Sequence, residues 1–225
     1  IYETGVLSDY RYILMQYIEA KTLDTFTEQE LLDKKIFYRM GQTLQAMHST
    51  KATGYGSITG ESSGEYPDFD SWLSGDPHIK NQLTYMREHN LLPEERYMSI
   101  NNALDTLKTY IGSNPESVYC HFDFSPGNIF YTEPLTVFDP VVLFNHPYLD
   151  LAKSIIQTVA NNFTTQETTQ QIIAGYFSEN TEELNKNILK ASLLFISYTK
   201  FPYLHKKDHK EVIAKVENFL ELFLI

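Results

Sequence analysis

The segment CHFDFSPGN, residues 120–128, places an aspartate and an asparagine on either side of a Pro-Gly turn. A second aspartate, Asp139, follows a short run of β-branched and aromatic residues. Polar side chains in turns next to strand ends are free of the strand ladder, so we expect Asp123, Asn128 and Asp139 to meet at one rim of a small hairpin. Each residue alone is an ordinary turn former, and their joint spacing favours a functional site.

The chemistry of this trio is that of hard oxygen ligands. Mg²⁺ prefers one or two carboxylates, together with waters and substrate phosphates, which makes Asp139 and the amide oxygen of Asn128 candidate metal ligands. Asp123 can then accept a hydrogen bond from an incoming hydroxyl and orient it toward a phosphorus atom. The segment therefore predicts phosphoryl transfer, in which charge neutralisation and alignment of the acceptor supply most of the catalysis.

A second chemistry uses the same residues differently. His121 and Asp123 are two positions apart, and on a strand they would face the same side, where Asp139 and His146 could join them in a transition-metal hydrolase site. We rank this below phosphoryl transfer. Metal content separates the two, because tightly bound zinc or manganese favours the hydrolase, whereas magnesium that binds only with nucleotide favours the transferase.

The composition limits the partners. The 225 residues are 42% hydrophobic and carry a formal net charge of −11, which excludes a nucleic acid polymer as the main partner and suits a neutral or cationic small molecule. The single cysteine, Cys120, lies in an apolar run and predicts a buried, inert thiol in a reducing compartment. Without a run of 18 apolar residues or a basic leader, we expect a cytoplasmic protein with no membrane partner.

The first fifty residues change from β-rich to helical. Tyr2–Val6 and Tyr12–Ile18 predict a β-hairpin around the turn at residues 7–9. Thr27 followed three residues later by Glu30 is a capping-box signature. Apolar residues then recur at helical spacing and predict a helix that ends near residue 48: Ile36, Met40, Leu44 and Met47.

The rest of the chain predicts a helical body that carries a small β insert. The Gly- and Ser-rich stretch from Gly54 to Asp76 predicts a long connecting loop. Further helices are predicted over Ile79–His89, over Glu94–Ile111 and from Pro147 to Val159, and three more follow, the longest broken by Pro202. The fold class is α+β, mostly helical.

A family resemblance rests on the order of these motifs. His121-x-Asp-x-x-x-x-Asn, the strand-end Asp139 and the stretch HPYLDLA, residues 146–152, are similar to the catalytic and metal loops of the aminoglycoside phosphotransferase family, which are relatives of the protein kinases. The resemblance implies a protein-kinase-like C-lobe, with the catalytic loop at 121–128 and the metal loop at 138–140. It also implies ATP and Mg²⁺ as cofactors, Asp123 as catalytic base, Asn128 and Asp139 as ligands of metal and nucleotide, and Asp150 as a structural brace.

The resemblance extends to the start of the chain. Residues 12–23 resemble the strand and hinge that precede the large lobe of this family, so that Gln16, Tyr17 and Ile18 would contact the adenine of ATP. Residues 1–18 would then be a remnant of the small-lobe sheet, and residues 19–225 would be the C-lobe.

The phosphate-binding part of such a small lobe is not recognisable. The first lysine is Lys21, already beyond the hinge, and the glycines at 54, 56 and 60 have the wrong spacing and follow a helix. We therefore expect an ATP-dependent kinase acting on a hydroxyl of an aminoglycoside, sugar or amino alcohol, an acceptor that can be cationic. The chain alone is expected to bind nucleotide weakly and to turn over poorly. A non-catalytic nucleotide-binding protein is the alternative.

Overall fold

The computed structural model describes residues 2–178, 180 and 184–224. The helices in this part of the chain are α1 Glu28–Asp33, α2 Ile36–Met47, α3 Phe69–Gly75, α4 Pro77–Glu88, α5 Glu94–Ser113, α6 Pro147–Ala160, α7 Gln166–Tyr176, α8 Lys186–Lys206 and α9 Lys210–Leu224. The strands are β1 Glu3–Leu7, β2 Tyr10–Leu14, β3 Lys51–Ala52, β4 Tyr55–Ile58, β5 Gly64–Tyr66, β6 Ser117–Cys120, β7 Ile129–Phe130, β8 Thr136–Val137 and β9 Leu143–Asn145.

The architecture is a helical body with three small antiparallel sheets. Strands β3, β6, β9, β4 and β5 form the largest sheet in that order, and β1–β2 and β7–β8 are separate hairpins. The predicted α+β class with a mostly helical body is confirmed. The β part is larger than predicted, because β6 and β9 on either side of the site pair with strands from residues 51–66.

The N-terminal hairpin is confirmed, with a shorter second strand than predicted. Glu3 pairs with Leu14 and Leu7 with Tyr10, so β2 ends at Leu14 instead of Ile18. Residues 15–18 form no strand in the part of the chain that the structure describes. The division of the chain at residue 18 stays a prediction.

The predicted start of the helical body is also confirmed. The Thr27 side chain accepts a hydrogen bond from the backbone N–H of Glu30, and a Glu30 carboxylate oxygen accepts one from the Thr27 N–H at 2.8 Å. Helix α2 then buries Ile36, Met40 and Leu44 completely. This reciprocal cap satisfies two backbone donors that the helix itself leaves unpaired.

The prediction of a long loop from Gly54 to Asp76 is wrong. Strands β4 and β5 and helix α3 occupy most of it, and the Asp68 side chain caps α3 by accepting a hydrogen bond from Ser71 N–H. Gly54 and Gly56 have positive φ values of 77° and 85°, so these glycines shape a bulged hairpin. The glycines that this hairpin needs for its backbone geometry, in and next to strand β4, therefore give the segment the composition of a loop.

The predicted break at Pro202 is wrong as well. Helix α8 runs through this position to Lys206, and Phe201, Pro202 and Leu204 are buried. A proline inside a helix removes one backbone hydrogen bond, and the burial of neighbouring apolar side chains in the common core outweighs that loss.

The backbones of helices α2 and α7 lie very close together where the helices cross, and a glycine on each helix lies at the contact. A Cβ atom added at Gly41 would overlap the carbonyl oxygen of Ile172, and one added at Gly175 would overlap that of Tyr38. Only hydrogen atoms at both positions allow the two backbones to touch, which fixes the spacing of these helices.

Candidate active site

The loop after β6 carries the first two candidate residues. Strand β6 ends at Cys120, Phe122 has a φ of 56°, and a 3₁₀ turn over Pro126–Asn128 leads into β7. The chain thus leaves the sheet at His121 and returns to a strand at Ile129. The predicted strand, tight turn and strand are confirmed, and His121 and Asp123 lie in the loop.

Asp150 on α6 holds this loop from below. Its side chain is completely buried, and its two oxygens accept hydrogen bonds from the backbone N–H groups of His121 at 2.9 Å and Phe122 at 3.0 Å. His48 Nε2 lies 3.1 Å from the same carboxylate, and His48 Nδ1 lies 2.7 Å from the hydroxyl of Tyr176. These contacts confirm the predicted bracing role of Asp150.

His48, Cys120 and Asp150 are also close enough to resemble a metal site, since their ligand atoms lie within 4.8 Å of one another. Hydrogen bonds already occupy the carboxylate and the imidazole. Burial raises the pKa of the Cys120 thiol well above its usual range, which keeps it protonated. The predicted buried, inert thiol is confirmed, and this group is a hydrogen-bonded part of the core.

His121 connects the catalytic loop to the loop of Asp139. Its Nε2 lies 3.1 Å from the carbonyl oxygen of Phe138, and its Nδ1 accepts a hydrogen bond from the backbone N–H of Asp123 at 3.2 Å. Burial lowers the pKa of His121, which favours the neutral tautomer that both contacts require. Both ring nitrogens are therefore used in structural hydrogen bonds.

The geometry assumed for a hydrolase is wrong. His121 and Asp123 do not share a strand face, because β6 ends before them. His146 is buried at the start of α6, where its Nδ1 accepts a hydrogen bond from the Tyr148 N–H. The two histidines therefore serve separate structural contacts.

Asp123 and Asn128 are brought together by hydrogen bonds. Asn128 Nδ2 donates to the Asp123 carboxylate at 2.7 Å and to its carbonyl oxygen at 2.9 Å. The other carboxylate oxygen accepts a hydrogen bond from Gln157 on α6. The sequence prediction missed Gln157. Its signal is the seven-residue spacing from Asp150, which puts the two residues on one face of a largely buried helix.

Asp139 is connected to this pair through the residue that precedes it. The backbone N–H of the preceding residue, Phe138, donates to the Asn128 carbonyl oxygen at 3.1 Å. Asp139 has a φ of 55° and is exposed, and among the described residues its carboxylate has no hydrogen bond or ion pair. The amide nitrogen of Asn128 is used in the hydrogen bonds to Asp123. The amide oxygen of Asn128 and the Asp139 carboxylate are therefore available as ligands for a metal ion. This hard oxygen pair fits Mg²⁺.

The predicted hinge residues lie just before a segment that packs on the site. Gln16 and Tyr17 are exposed, and Ile18 is half-buried and accepts a hydrogen bond from the Ala20 N–H. Three residues later the Lys21 carbonyl oxygen accepts a hydrogen bond from Tyr131 N–H at 2.8 Å, directly after β7. Gln16 and Tyr17 make no backbone hydrogen bonds to other described residues, so these groups are available to a ligand.

A cavity of about 600 Å³ opens beside Asp123. Its wall includes Phe122 and Asp123 from the catalytic loop, residues of α4, α6 and α8, and Trp72 of α3. A space of this volume can enclose a metabolite or a small drug-sized molecule. The predicted catalytic residue therefore borders a cavity large enough for a small molecule.

His146 gives this region a pH-dependent stability. Burial lowers its pKa from 6.5 to about 4, so the folded protein keeps the ring neutral while an unfolded chain takes up a proton near pH 6.5. The free energy of unfolding should therefore fall by about 2–4 kcal/mol between pH 6.5 and 4 on account of this residue. Urea unfolding across that range should show a flatter pH profile for His146→Asn, which keeps a helix-capping acceptor, than for the original chain. The exposed His205→Asn is the control, and equal slopes for all three proteins would contradict the prediction.

None of the helices in the described part of the chain combines the length and the apolar character needed to cross a lipid bilayer.

Comparison with known proteins gives the context of this site. A sequence profile of the phosphotransferase enzyme family matches residues 2–183. A search of curated protein sequences gave no match.

Solved structures share the fold. The apo form of a thermostable mutant of aminoglycoside phosphotransferase APH(4)-Ia has a TM-score of 0.65 and 19% identity, over 98% of this chain and 74% of that chain. A ternary complex of such a mutant with AMP-PNP and hygromycin B has a TM-score of 0.61 and 19% identity, over 91% and 68%. A putative fructosamine-3-kinase from Thermobifida fusca has a TM-score of 0.57 and 16% identity, over 92% and 69%.

At these identities the structural likeness shows the fold, and the profile match over most of the chain shows the family. Both agree with the resemblance found in the motif order, and they support a small-molecule phosphotransferase. The chain belongs to the phosphotransferase enzyme family and has its protein-kinase-like fold.

Proposed function

We propose that this protein binds ATP with Mg²⁺ and transfers the γ-phosphoryl group to a hydroxyl of a small molecule in the cavity beside Asp123. The observation that carries the proposal is the contact of the catalytic and metal loops. The Asn128 side chain is hydrogen-bonded to Asp123, and its carbonyl oxygen accepts a hydrogen bond from the N–H of Phe138. Asp139 is the next residue after Phe138. Asp123, which borders the cavity, is thus held by Asn128, and Asn128 is hydrogen-bonded to the residue just before Asp139.

Asp123 is the proposed catalytic base. Asn128 and Gln157 each donate a hydrogen bond to one of its carboxylate oxygens, which sets the orientation of the group. A carboxylate oxygen can accept more than one hydrogen bond, so Asp123 can also accept one from the acceptor hydroxyl. The new oxygen–phosphorus bond forms as the bond from the γ-phosphorus to the bridging oxygen breaks, the hydroxyl proton passes to Asp123, and ADP leaves.

Asn128 and Asp139 are the proposed metal ligands. The amide oxygen of Asn128 and the free carboxylate of Asp139 offer two protein ligands, and the nucleotide phosphates and waters complete the usual shell of Mg²⁺. A bound Mg²⁺ would neutralise negative charge on the phosphate oxygens. A solved structure of similar fold contains bound AMP-PNP, and on that ground we propose that this chain also binds a nucleotide.

The proposed adenine contacts are the backbone groups of Gln16, Tyr17 and Ile18. Their support is the position of this segment, immediately before Lys21 joins the strand that follows the catalytic loop. The backbone groups of Gln16 and Tyr17 and the N–H of Ile18 have no backbone partner among the described residues, and such groups can recognise the polar edge of a base without a charged side chain.

Replacement of the proposed metal ligand tests the proposal. Asp139→Asn should weaken binding of AMP-PNP about 10- to 100-fold in the presence of Mg²⁺, and it should change binding little in EDTA. Calorimetric titration with and without the metal measures both values. Asp105→Asn removes an exposed carboxylate on α5 and is the matched control.

Transfer itself is measured with radiolabelled ATP and a panel of neutral, cationic and anionic hydroxyl compounds. Phosphorylated acceptor that is formed by the original chain and lost in Asp139→Asn supports the proposal. Metal-dependent nucleotide binding without transfer to any acceptor would identify a non-catalytic nucleotide-binding protein instead.

A further inference from the structure

Two lysines line the same cavity as Asp123. Lys153 lies on α6, three residues after the bracing Asp150, and Lys200 lies on the neighbouring α8. Both side chains are half-buried. A chain with a net charge of −11 thus places two of its 18 basic residues inside the cavity where the acceptor is expected.

Neither lysine has an anionic partner within ion-pair distance in the described part of the chain. The Nζ atom of Lys153 lies over the ring of Phe122, 4.0 Å from its centroid, and Phe122 directly precedes Asp123. Burial, followed by the nearby charge of Lys200, lowers the pKa of Lys153 to about 8, whereas Asp150, Asp123 and Cys120 act in the opposite direction. Burial also lowers the pKa of Lys200. Two partly desolvated positive charges near each other are a site that an anion would stabilise.

The acidic residues of the cavity wall are already in use. One Asp76 carboxylate oxygen caps α4, accepting hydrogen bonds from the N–H groups of His78 at 2.8 Å and Ile79 at 3.1 Å. Asp123 accepts hydrogen bonds from Asn128 and Gln157. A cationic ligand would therefore find few free acidic groups in the wall other than the proposed catalytic carboxylate. The net negative charge of the whole chain, in contrast, favours a cationic ligand.

Several uncharged polar groups of the wall also lack partners. Three residues that line this cavity have a buried polar atom with no hydrogen-bond partner among the described residues: Trp72 Nε1, Gln82 Oε1 and Gln157 Oε1. Buried polar atoms are normally paired, so a cluster of orphaned atoms around one cavity indicates a polar ligand. A hydroxyl-rich molecule can satisfy both the indole donor and the amide acceptors.

We propose that the acceptor is an anion: a small polyhydroxy compound whose phosphate or carboxylate group binds Lys153 and Lys200 while one hydroxyl reaches Asp123. The proposal rests on the proposed function for the transfer step, but the anion site itself rests on the cavity alone. Two lysine ammonium groups can each donate charge-assisted hydrogen bonds to such a group. The volume of about 600 Å³ is sufficient for a sugar phosphate or a sugar acid.

Sugars that share one carbon skeleton but differ in charge can be compared to test this acceptor class. Glucose, glucosamine, gluconate, glucose 6-phosphate and inorganic phosphate are titrated calorimetrically into the protein without nucleotide. The anions should bind, and glucose and glucosamine should bind at least about tenfold more weakly than glucose 6-phosphate. Equal binding of neutral, cationic and anionic sugars, or no anion binding at about 10 mM, would overturn the proposal.

Substitutions assign the binding to the two lysines. Lys153→Met and Lys200→Met should each weaken glucose 6-phosphate binding about tenfold or more, and the corresponding arginine variants should retain most of it. Lys207→Met removes an exposed lysine just after the same α8 and should have no effect. Far-UV circular dichroism confirms folding, and loss of a partly buried charge should leave the melting temperature unchanged or higher. Unchanged anion binding in both folded methionine variants would overturn the assignment.

The nucleotide is the other source of phosphate in this protein, and a competition experiment separates the two. Glucose 6-phosphate should still bind, and still depend on both lysines, when AMP-PNP and Mg²⁺ saturate their site. If AMP-PNP displaces it and itself binds more weakly in the methionine variants, the lysines hold nucleotide phosphates and the proposal is wrong. Lysine-dependent anion binding without any ATP turnover supports the anion site and counts only against the transferase activity.

Discussion

Asp123→Asn is expected to lower the rate of phosphoryl transfer about 10²- to 10⁴-fold while the affinity for AMP-PNP and Mg²⁺ changes little. The amide has nearly the shape of the carboxylate. Its oxygen can still accept a hydrogen bond from Asn128, and its NH₂ group can donate to Oε1 of Gln157 once that side-chain amide turns over, but the amide cannot take up the proton of the acceptor hydroxyl. Single-turnover assays with radiolabelled ATP measure the rate, and calorimetric titration measures the affinity.

A structural role of Asp123 would give a different pattern. If the aspartate mainly held Asn128, its replacement would weaken nucleotide and metal binding as well as transfer. Gln157→Leu is the companion variant, because it removes the hydrogen bond that orients Asp123 and leaves the Asp123 carboxylate in place. We expect it to lower kcat by a smaller factor and to leave the affinity for nucleotide unchanged. An Asp123→Asn protein with the full rate would exclude this residue as the base.

The second large effect is expected from Asp150→Asn, which should lower the free energy of unfolding by about 3–5 kcal/mol. The buried carboxylate accepts hydrogen bonds from two backbone N–H groups and contacts His48. An amide there removes the charge and turns an NH₂ group toward one of these neighbours, which leaves buried donors unpaired. Urea unfolding at neutral pH, followed by circular dichroism, measures the change.

Asp105→Asn serves as the stability control, since this exposed carboxylate on α5 should be worth less than about 0.5 kcal/mol. A loss below about 1 kcal/mol in Asp150→Asn would mean that the catalytic loop does not depend on this brace. Transfer activity should fall in the same variant even where it remains folded, because the backbone of His121 and Phe122 is no longer held.

The candidate site could be predicted because its parts are close in sequence. Asp123, Asn128 and Asp139 lie within 17 positions, and short-range rules for turns and strand ends are sufficient to bring them together. The order of the motifs then indicated the family and the fold. The roles proposed for these residues and for Gln16, Tyr17 and Ile18 stay predictions until the variants are measured.

The residues that sequence reasoning missed are those whose roles depend on distant packing. Lys153 and Lys200 are separated by 47 positions, and only the packing of α6 against α8 puts them in one cavity. Local propensity predicts a helix break at Pro202, because it counts the lost hydrogen bond and not the burial on both sides. The hairpin and helix at residues 55–75 were missed because the positive φ angles of Gly54 and Gly56 are invisible in composition.

The close crossing of α2 and α7 has a consequence for the loop that holds Asp123. Tyr176 at the end of α7 contacts His48 just after α2, His48 contacts Asp150, and Asp150 holds the backbone of His121. Glycines 41 and 175 allow the close approach of these helices, and three successive hydrogen bonds connect the helices to the loop. We therefore expect that a side chain added at either glycine would also displace the loop that carries Asp123.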